Sequence, residues 1–193
     1  MEYVHDFKID PLSLVNKDWN RPFGQEEYMT RYIKDWKSIF NKKTVDVFED
    51  SIQRVMVFNK PEDWNKTSKG NSVHVDDGEI ICAMNVVLPT ADNMSVMEWF
   101  HTDINHSDLI IGSGSDYAAR WNGENAWTQE QFKLIHQCHV DNKVTLVRVD
   151  IPHRVVVSQS ARVCISVRFK EKFTMWNEAV DHVESLFQEL RCT

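Results

Sequence analysis

Cysteine, glycine and proline are all scarce in this sequence. Its 193 residues include four cysteines, six glycines and five prolines, and no low-complexity tract is visible. No two cysteines form a Cys-x-x-Cys pair, which argues against a zinc cluster and against a disulfide framework. We therefore expect four reduced cysteines in a reducing compartment. They are Cys82, Cys138, Cys164 and Cys192.

Long apolar runs and an excess of positive charge are also missing. No run reaches the length of a membrane-spanning helix and no signal segment is visible, so we expect a cytoplasmic protein without membrane contact. Acidic residues outnumber basic ones by 29 to 22, for a formal net charge of −7. Because a nucleic-acid surface needs a basic stripe, nucleic acid is not expected as a partner.

Hydrophobic and aromatic residues are plentiful, and their spacing predicts the fold. The chain is 42% hydrophobic and 11% aromatic, which indicates a packed globular protein, and its length fits a single domain over 1–193. Apolar residues recur at helical spacing in 25–40 and in 173–190, so two amphipathic helices are predicted. About eight short β-type runs without βαβ alternation favour an antiparallel sandwich or jelly-roll barrel with helices packed on one sheet.

This pattern divides the domain into three parts. Residues 1–52 form a lead-in with the first helix, 53–170 form the β core, and 171–193 form the C-terminal helix. The segment 128–140 fits two interpretations, because a possible capping box near Thr128 favours a helix and the following apolar residues favour a strand.

A histidine and an aspartate lie two residues apart in a segment that is predicted to be extended. Side chains alternate along a strand, so His74 and Asp76 point to one face and Val75 to the other. A third potential ligand, His153, lies between two β-branched runs later in the chain. Two histidines and one carboxylate with open positions opposite are typical of non-haem Fe(II) oxygenases. We expect these three residues to bind the metal, although His101 with its own H-x-D spacing competes.

An arginine in a predicted strand offers an anion site beside such a metal. The strand over 161–169 has one apolar face, and Arg162 lies on the other face with Cys164 and Ser166. A guanidinium binds a carboxylate through two parallel hydrogen bonds, so Arg162 is a good anchor for a dicarboxylate cosubstrate. Asn85 interrupts an otherwise apolar run, and its amide either serves a backbone group or faces a bound polar ligand.

The order of these motifs resembles the Fe(II)/2-oxoglutarate-dependent dioxygenase superfamily. The H-x-D pair at His74, the proline-histidine pair ending at His153 and Arg162 in an apolar strand follow in the family's order, over about 53–170. The likeness is closest to the short single-domain members found in bacteria, viruses and environmental sequences.

The resemblance implies a double-stranded β-helix, the cupin-like jelly-roll core. It also implies Fe(II) bound by His74, Asp76 and His153, and 2-oxoglutarate bound through its distal carboxylate by Arg162. Oxidation of 2-oxoglutarate to succinate and CO2 would accompany hydroxylation of the substrate. Where the family usually has R-x-S, this chain has Cys164 two residues after the arginine, so either Ser166 makes the hydroxyl contact with the cosubstrate or no residue does.

Two other functions fit part of the pattern. One is a metal-dependent cupin-type enzyme that does not use 2-oxoglutarate, although such sites usually gather three or four histidines. The other is a non-enzymatic jelly-roll binding or structural module, which the complete ligand set disfavours. For an oxygenase, a small-molecule or peptidyl substrate is expected, selected by the loops 59–72 and 101–127.

Overall fold

The computed structural model describes residues 2–21, 29–60, 73–76, 80–110, 127–157 and 160–192. This part of the chain is mainly β, with two antiparallel sheets and few helices, as predicted. Its strands are β1 (Val4–Phe7), β2 (Met29–Tyr32), β3 (Ile52–Lys60), β4 (Cys82–Val87), β5 (Val96–His101), β6 (Lys133–His139), β7 (Lys143–Arg148), β8 (His153–Val156) and β9 (Arg162–Phe169). Its α-helices are α1 (Lys42–Phe48), α2 (His106–Leu109) and α3 (Trp176–Cys192).

Strand β9 lies inside the larger sheet and is buried along its whole length. The six strands of that sheet follow the order β1-β7-β4-β9-β3-β2, and the smaller sheet has the order β6-β5-β8. Val163, Ile165 and Val167 of β9 join the main hydrophobic core, so the predicted separation of an apolar face from a polar face is confirmed.

The main core lies between the larger sheet and the helices. Helix α3 contributes Ala179, Val183 and Phe187, all fully buried. The ring of Phe187 lies 4.8 Å from Phe7 and 5.3 Å from Phe48, measured between ring centroids. The predicted C-terminal amphipathic helix is therefore confirmed. In the described part of the chain, no helix is long and apolar enough to cross a membrane.

The opposite face of the larger sheet packs against the smaller sheet. Ala83 and Val147 from the larger sheet form a second hydrophobic cluster with Met97 and Trp99 from β5. The indole nitrogen of Trp99 donates a hydrogen bond to the backbone carbonyl of Arg148 at 2.9 Å, which ties the two sheets together. Because side chains alternate, the polar residues of β9 lie on this inner face, between the sheets.

The predicted helix over 25–40 is wrong for the residues that the structure describes. Strand β2 occupies part of this range and pairs with β3, with Met29 opposite Asn59, and Trp36–Ser38 forms a 3₁₀ turn. The helix of this region comes later, as α1. Helix α1 is capped by Asn41, whose side-chain oxygen accepts from the amide of Thr44 at 2.9 Å. Pairing with a neighbouring strand outweighs a helical spacing of apolar residues, because tertiary contacts override local propensity.

The segment 128–140 combines both interpretations that its sequence allowed. A 3₁₀ turn at Gln129–Gln131 begins with a capping box at Thr128, whose amide donates to the side chain of Gln131 at 2.8 Å. Strand β6 then follows and pairs with β5. The capping signal was real, but the helix it begins is a single turn.

Candidate metal centre

Three potential ligand residues from two distant parts of the chain meet between the sheets. One ligand atom from each of His74, Asp76 and His153 lies within 4.8 Å of the other two. The Nε2 atoms of His74 and His153 are 3.7 and 3.9 Å from Oδ1 of Asp76. These separations exceed a hydrogen bond, yet they suit three ligands that surround one cation. Among the described residues, no other such group of three is present.

Backbone hydrogen bonds hold the two parts of the site in register. His74 and His153 lie opposite each other and exchange both backbone hydrogen bonds, at 2.9 and 2.8 Å. The amide of Asp76 donates to the carbonyl of Val149 at 3.0 Å. Val75 is buried in a separate apolar cluster, while His74 and Asp76 keep some solvent contact. The predicted alternation of side chains is therefore confirmed.

The imidazole of His153 is held in the form that a metal requires. Its Nδ1 lies 2.8 Å from the carbonyl of Ile151, and because a carbonyl can only accept, Nδ1 carries the hydrogen. The lone pair of Nε2 then faces Asp76. Burial lowers the pKa of His153, and the Asp76 carboxylate offsets this only in part. A neutral ring with a hydrogen bond on its second nitrogen is the usual state of a metal-binding histidine.

Arg168 keeps Asp76 ionised and oriented. Its Nη2 contacts Oδ2 of Asp76, while Oδ1 is the oxygen that faces the two imidazoles. Burial alone would raise the pKa of Asp76. The positive charge of Arg168 and its hydrogen bond outweigh burial and hold this pKa below its ordinary value. The carboxylate is therefore an anion with one oxygen directed to the site.

A hydrogen-bonded chain continues from Arg168 across the larger sheet. Nη1 of Arg168 donates to Ser166 Oγ at 2.6 Å, and Ser166 Oγ donates to Oδ1 of Asn85 at 2.6 Å. Asn85 therefore faces the inner side and serves Ser166. Sequence reasoning placed Ser166 beside the cosubstrate and expected Asn85 to serve a backbone group or a ligand, but it missed Arg168 as the partner of Asp76. The feature of the sequence that could have revealed Arg168 is its position two residues after Ser166, on the same face of β9.

Arg162 lies at the other end of β9 and contacts a buried acid. Its Nε donates to Oδ1 of Asp141 at 3.0 Å, and both side chains are almost fully buried. Along the strand it is separated from Arg168 by about 20 Å, at roughly 3.3 Å per residue. Cys164 lies between Arg162 and Ser166, and burial raises the pKa of its thiol, which stays neutral. Arg162 is thus on the predicted face, and its role as a cosubstrate anchor stays a prediction.

Lys60 is a second basic residue beside Arg162 that sequence reasoning missed. The two residues are opposite each other in the pairing of β3 with β9. The Lys60 ammonium lies 3.5 Å from the carbonyl of Val155 in the smaller sheet, so it spans the space between the sheets. Lys60 is half-buried, and the desolvation of its ammonium, strengthened by the charge of Arg162, lowers its pKa to about 7. The feature of the sequence that could have revealed Lys60 is its position on the same face of β3 as Met56 and Phe58.

This lysine should make the stability of the protein depend on pH. In the unfolded chain the pKa of Lys60 is near 10.5, against about 7 in the folded state, so between these values unfolding takes up a proton. The wild-type free energy of unfolding should then rise with pH across this window. We expect Lys60→Met to be more stable than wild type by on the order of a few kcal/mol at pH 7 and below. Chemical denaturation from pH 6 to 10 should show this difference shrink with rising pH, and a constant difference would contradict the expectation.

The competing H-x-D pair does not form a comparable site. His101 and Asp103 lie 3.9 Å apart, and their side chains are 69% and 106% exposed. No third ligand joins them among the described residues. The loops expected to select a substrate fall largely on 61–72 and 111–126, which lie outside the described residues.

Comparison with known proteins adds no assignment. No family model matches the chain, and neither the curated proteins nor the solved structures contain a match. The function must therefore be inferred from the geometry and chemistry of the site.

Proposed function

We propose that this protein is an Fe(II)- and 2-oxoglutarate-dependent oxygenase that hydroxylates a small-molecule or peptidyl substrate. The observation that carries the proposal is the convergence of His74, Asp76 and His153 within 4.8 Å. Two imidazoles and one carboxylate are the ligand set of non-haem iron oxygenases.

The arrangement of strands supports a jelly-roll core for this enzyme. Two antiparallel sheets face each other, and β3, β9, β4 and β7 lie side by side in the larger one. The bridge between His74 and His153 adds the H-x-D segment next to β8 in the smaller sheet. Consecutive strands thus alternate between the two sheets over much of the core, as they do in a double-stranded β-helix.

The residues present suit a divalent iron centre. The two Nε2 atoms and the Asp76 oxygen all point to one space, and both His153 and Asp76 have partners that fix their charge state and orientation. When bound, Fe(II) would couple the oxidative decarboxylation of 2-oxoglutarate by O2 to hydroxylation of the substrate. His74, Asp76 and His153 would hold the ion, and Arg168 would hold Asp76.

The inner face of the larger sheet also suits a polar cosubstrate. Within the described ranges, Nε of Arg168 and Oγ1 of Thr145 are buried without a hydrogen-bond partner. Thr145 lies opposite Asn85 in the pairing of β4 with β7. Buried polar groups without a partner are rare in proteins and call for a ligand or a water molecule. With Arg162 on the same face, these groups favour an anionic, oxygen-rich molecule between the sheets.

Turnover of the cosubstrate tests the proposal. Wild-type protein is first titrated with Fe(II) under nitrogen and then supplied with 2-oxoglutarate and O2, and succinate is measured. We expect succinate release that depends on iron and falls by at least about 100-fold in His74→Ala, since a missing ligand removes the ion. Succinate release at equal rates from both proteins would end this assignment.

The ion pair between Arg162 and Asp141 favours one second candidate, a cupin-type metal enzyme without 2-oxoglutarate. If this pair serves only to stabilise the fold, the arginine does not receive a cosubstrate. In that case Fe(II) binds to the wild type, but 2-oxoglutarate neither binds nor is decarboxylated. A non-enzymatic module would show no bound iron and no thermal shift on addition of metal.

A further inference from the structure

We propose that Lys60 and Arg162 together bind the distal carboxylate of the cosubstrate, and that Lys60 makes this binding sensitive to pH. The inference rests on the proposed function, because it assigns a residue to the cosubstrate site of the same enzyme. It concerns a lysine on β3, a strand that holds none of the metal ligands.

The two cations are placed side by side by the sheet. Lys60 and Arg162 are directly opposite in neighbouring antiparallel strands, where the Cβ atoms of such pairs are about 4.5–5.5 Å apart. The Lys60 ammonium extends to the carbonyl of Val155 in β8, so it lies in the same space between the sheets as the polar face of β9. An anion that enters this space meets both charges.

Asp141 positions Arg162 for this role. Its Oδ1 accepts from Nε of Arg162 at 3.0 Å, and its Oδ2 accepts from the amide of Ser95 at 2.7 Å. A guanidinium carries five N–H donors, and the contact with Asp141 uses the one on Nε. The arginine is therefore held at one edge by a buried carboxylate that is itself anchored to the backbone.

The charged groups around Lys60 determine how its protonation responds to a ligand. Strand β9 contributes Arg162 and the neutral thiol of Cys164, the turn after β6 contributes Asp141, and β8 contributes the carbonyl of Val155. Burial and Arg162 favour the neutral amine and lower the pKa of Lys60 to about 7. A carboxylate bound beside it favours the ammonium. Binding of the dicarboxylate above pH 7 should therefore take up a proton.

Two probes that differ in one carboxylate test the assignment. Dissociation constants for 2-oxoglutarate and for 2-oxobutyrate, which lacks the distal carboxylate, are measured by calorimetry at pH 7 with Mn(II)-loaded full-length protein. We expect Lys60→Met to weaken the binding of 2-oxoglutarate by about 10- to 100-fold, which is the range for a lost charge-assisted hydrogen bond. Its affinity for 2-oxobutyrate should stay within about twofold. Lys42→Met, at an exposed lysine of α1, is the matched control and should change neither constant.

The pH dependence separates the charge of Lys60 from its size. Between pH 6.5 and pH 8.5 the affinity of the wild type for 2-oxoglutarate should fall by about 10- to 20-fold, because the protonated amine binds the carboxylate more tightly than the neutral amine does. Lys60→Arg keeps its charge throughout this range, so its affinity for 2-oxoglutarate should fall by less than about threefold.

Each outcome supports or overturns one of the two proposals. If the wild type binds 2-oxoglutarate tightly and Lys60→Met binds it equally well, the role of Lys60 is wrong and the proposed function stands. If Lys60→Arg follows the pH dependence of the wild type, the titrating group is elsewhere and the inference is wrong. If the Mn(II)-loaded wild type does not bind 2-oxoglutarate at all, the proposed function fails and this inference fails with it.

Discussion

His153→Ala should bind Fe(II) or Mn(II) at least about 100-fold more weakly than the wild type, because changes to partners of the ligands alone cost 10- to 100-fold. The imidazole of His153 has one nitrogen hydrogen-bonded to Ile151 and the other directed to Asp76. Alanine removes that ligand atom and leaves two ligands for the ion. Titration with Mn(II), followed by the loss of the free-ion electron spin resonance signal, measures the constant directly.

The control for this variant is the competing pair. His101→Ala removes an exposed histidine with the same H-x-D spacing, and it should leave metal affinity unchanged. Because His153 is buried, Asp76→Asn provides a second test with less loss of packing, and it too should weaken binding strongly. A His153→Ala protein that stays folded and binds Mn(II) with wild-type affinity would show that the metal lies elsewhere.

Arg168→Met should have the second-largest effect, and it should act on stability as well as on the metal. Removing one partner of a buried ion pair typically costs about 3–5 kcal/mol, and here it leaves the carboxylate of Asp76 without the cation that it contacts. Metal affinity should fall by about 10- to 100-fold, since Asp76 loses its orientation and its pKa rises. Chemical denaturation of the metal-free protein and Mn(II) titration measure the two effects.

A conservative variant separates charge from geometry at this position. Arg168→Lys keeps the positive charge but cannot contact Asp76 and Ser166 with two nitrogen atoms at once. It should recover part of the stability and less of the metal affinity, because orientation depends on the planar fork of donors. If Arg168→Met has the stability and the metal affinity of the wild type, the guanidinium has no influence on Asp76.

The shared orientation of His74 and Asp76 could be predicted from the sequence because it follows a local rule, whereas the position of His153 beside them depends on a bridge between distant segments. Side chains alternate in an extended segment, so His74 and Asp76 share a face whatever the rest of the fold does. The partner of Asp76 could not be predicted in this way. Arg162 and Arg168 lie on the same face of β9, and which of them meets Asp76 depends on the register of β9 against β3 and β4. That register is set by contacts far apart in the chain.

The fold shows the same contrast between local and long-range information. The C-terminal helix was predictable, since the helical spacing of its apolar residues is a local signal, and these residues pack into the main core. The residues of 29–32 have helical spacing with their neighbours, yet they pair with β3 instead. No local signal reveals that the edge of β3 is available there. Lys60 could not be singled out for the same reason, because Arg162, the residue opposite it, lies on a different strand.

Anomalous diffraction from crystals grown with Mn(II) tests the central claim most directly. We expect one strong peak between the sheets, about 2.0–2.3 Å from Nε2 of His74, Nε2 of His153 and Oδ1 of Asp76, the usual range for divalent first-row ions. A peak beside His101 and Asp103, or no peak at a manganese concentration that saturates binding in solution, would contradict the assignment of this metal centre.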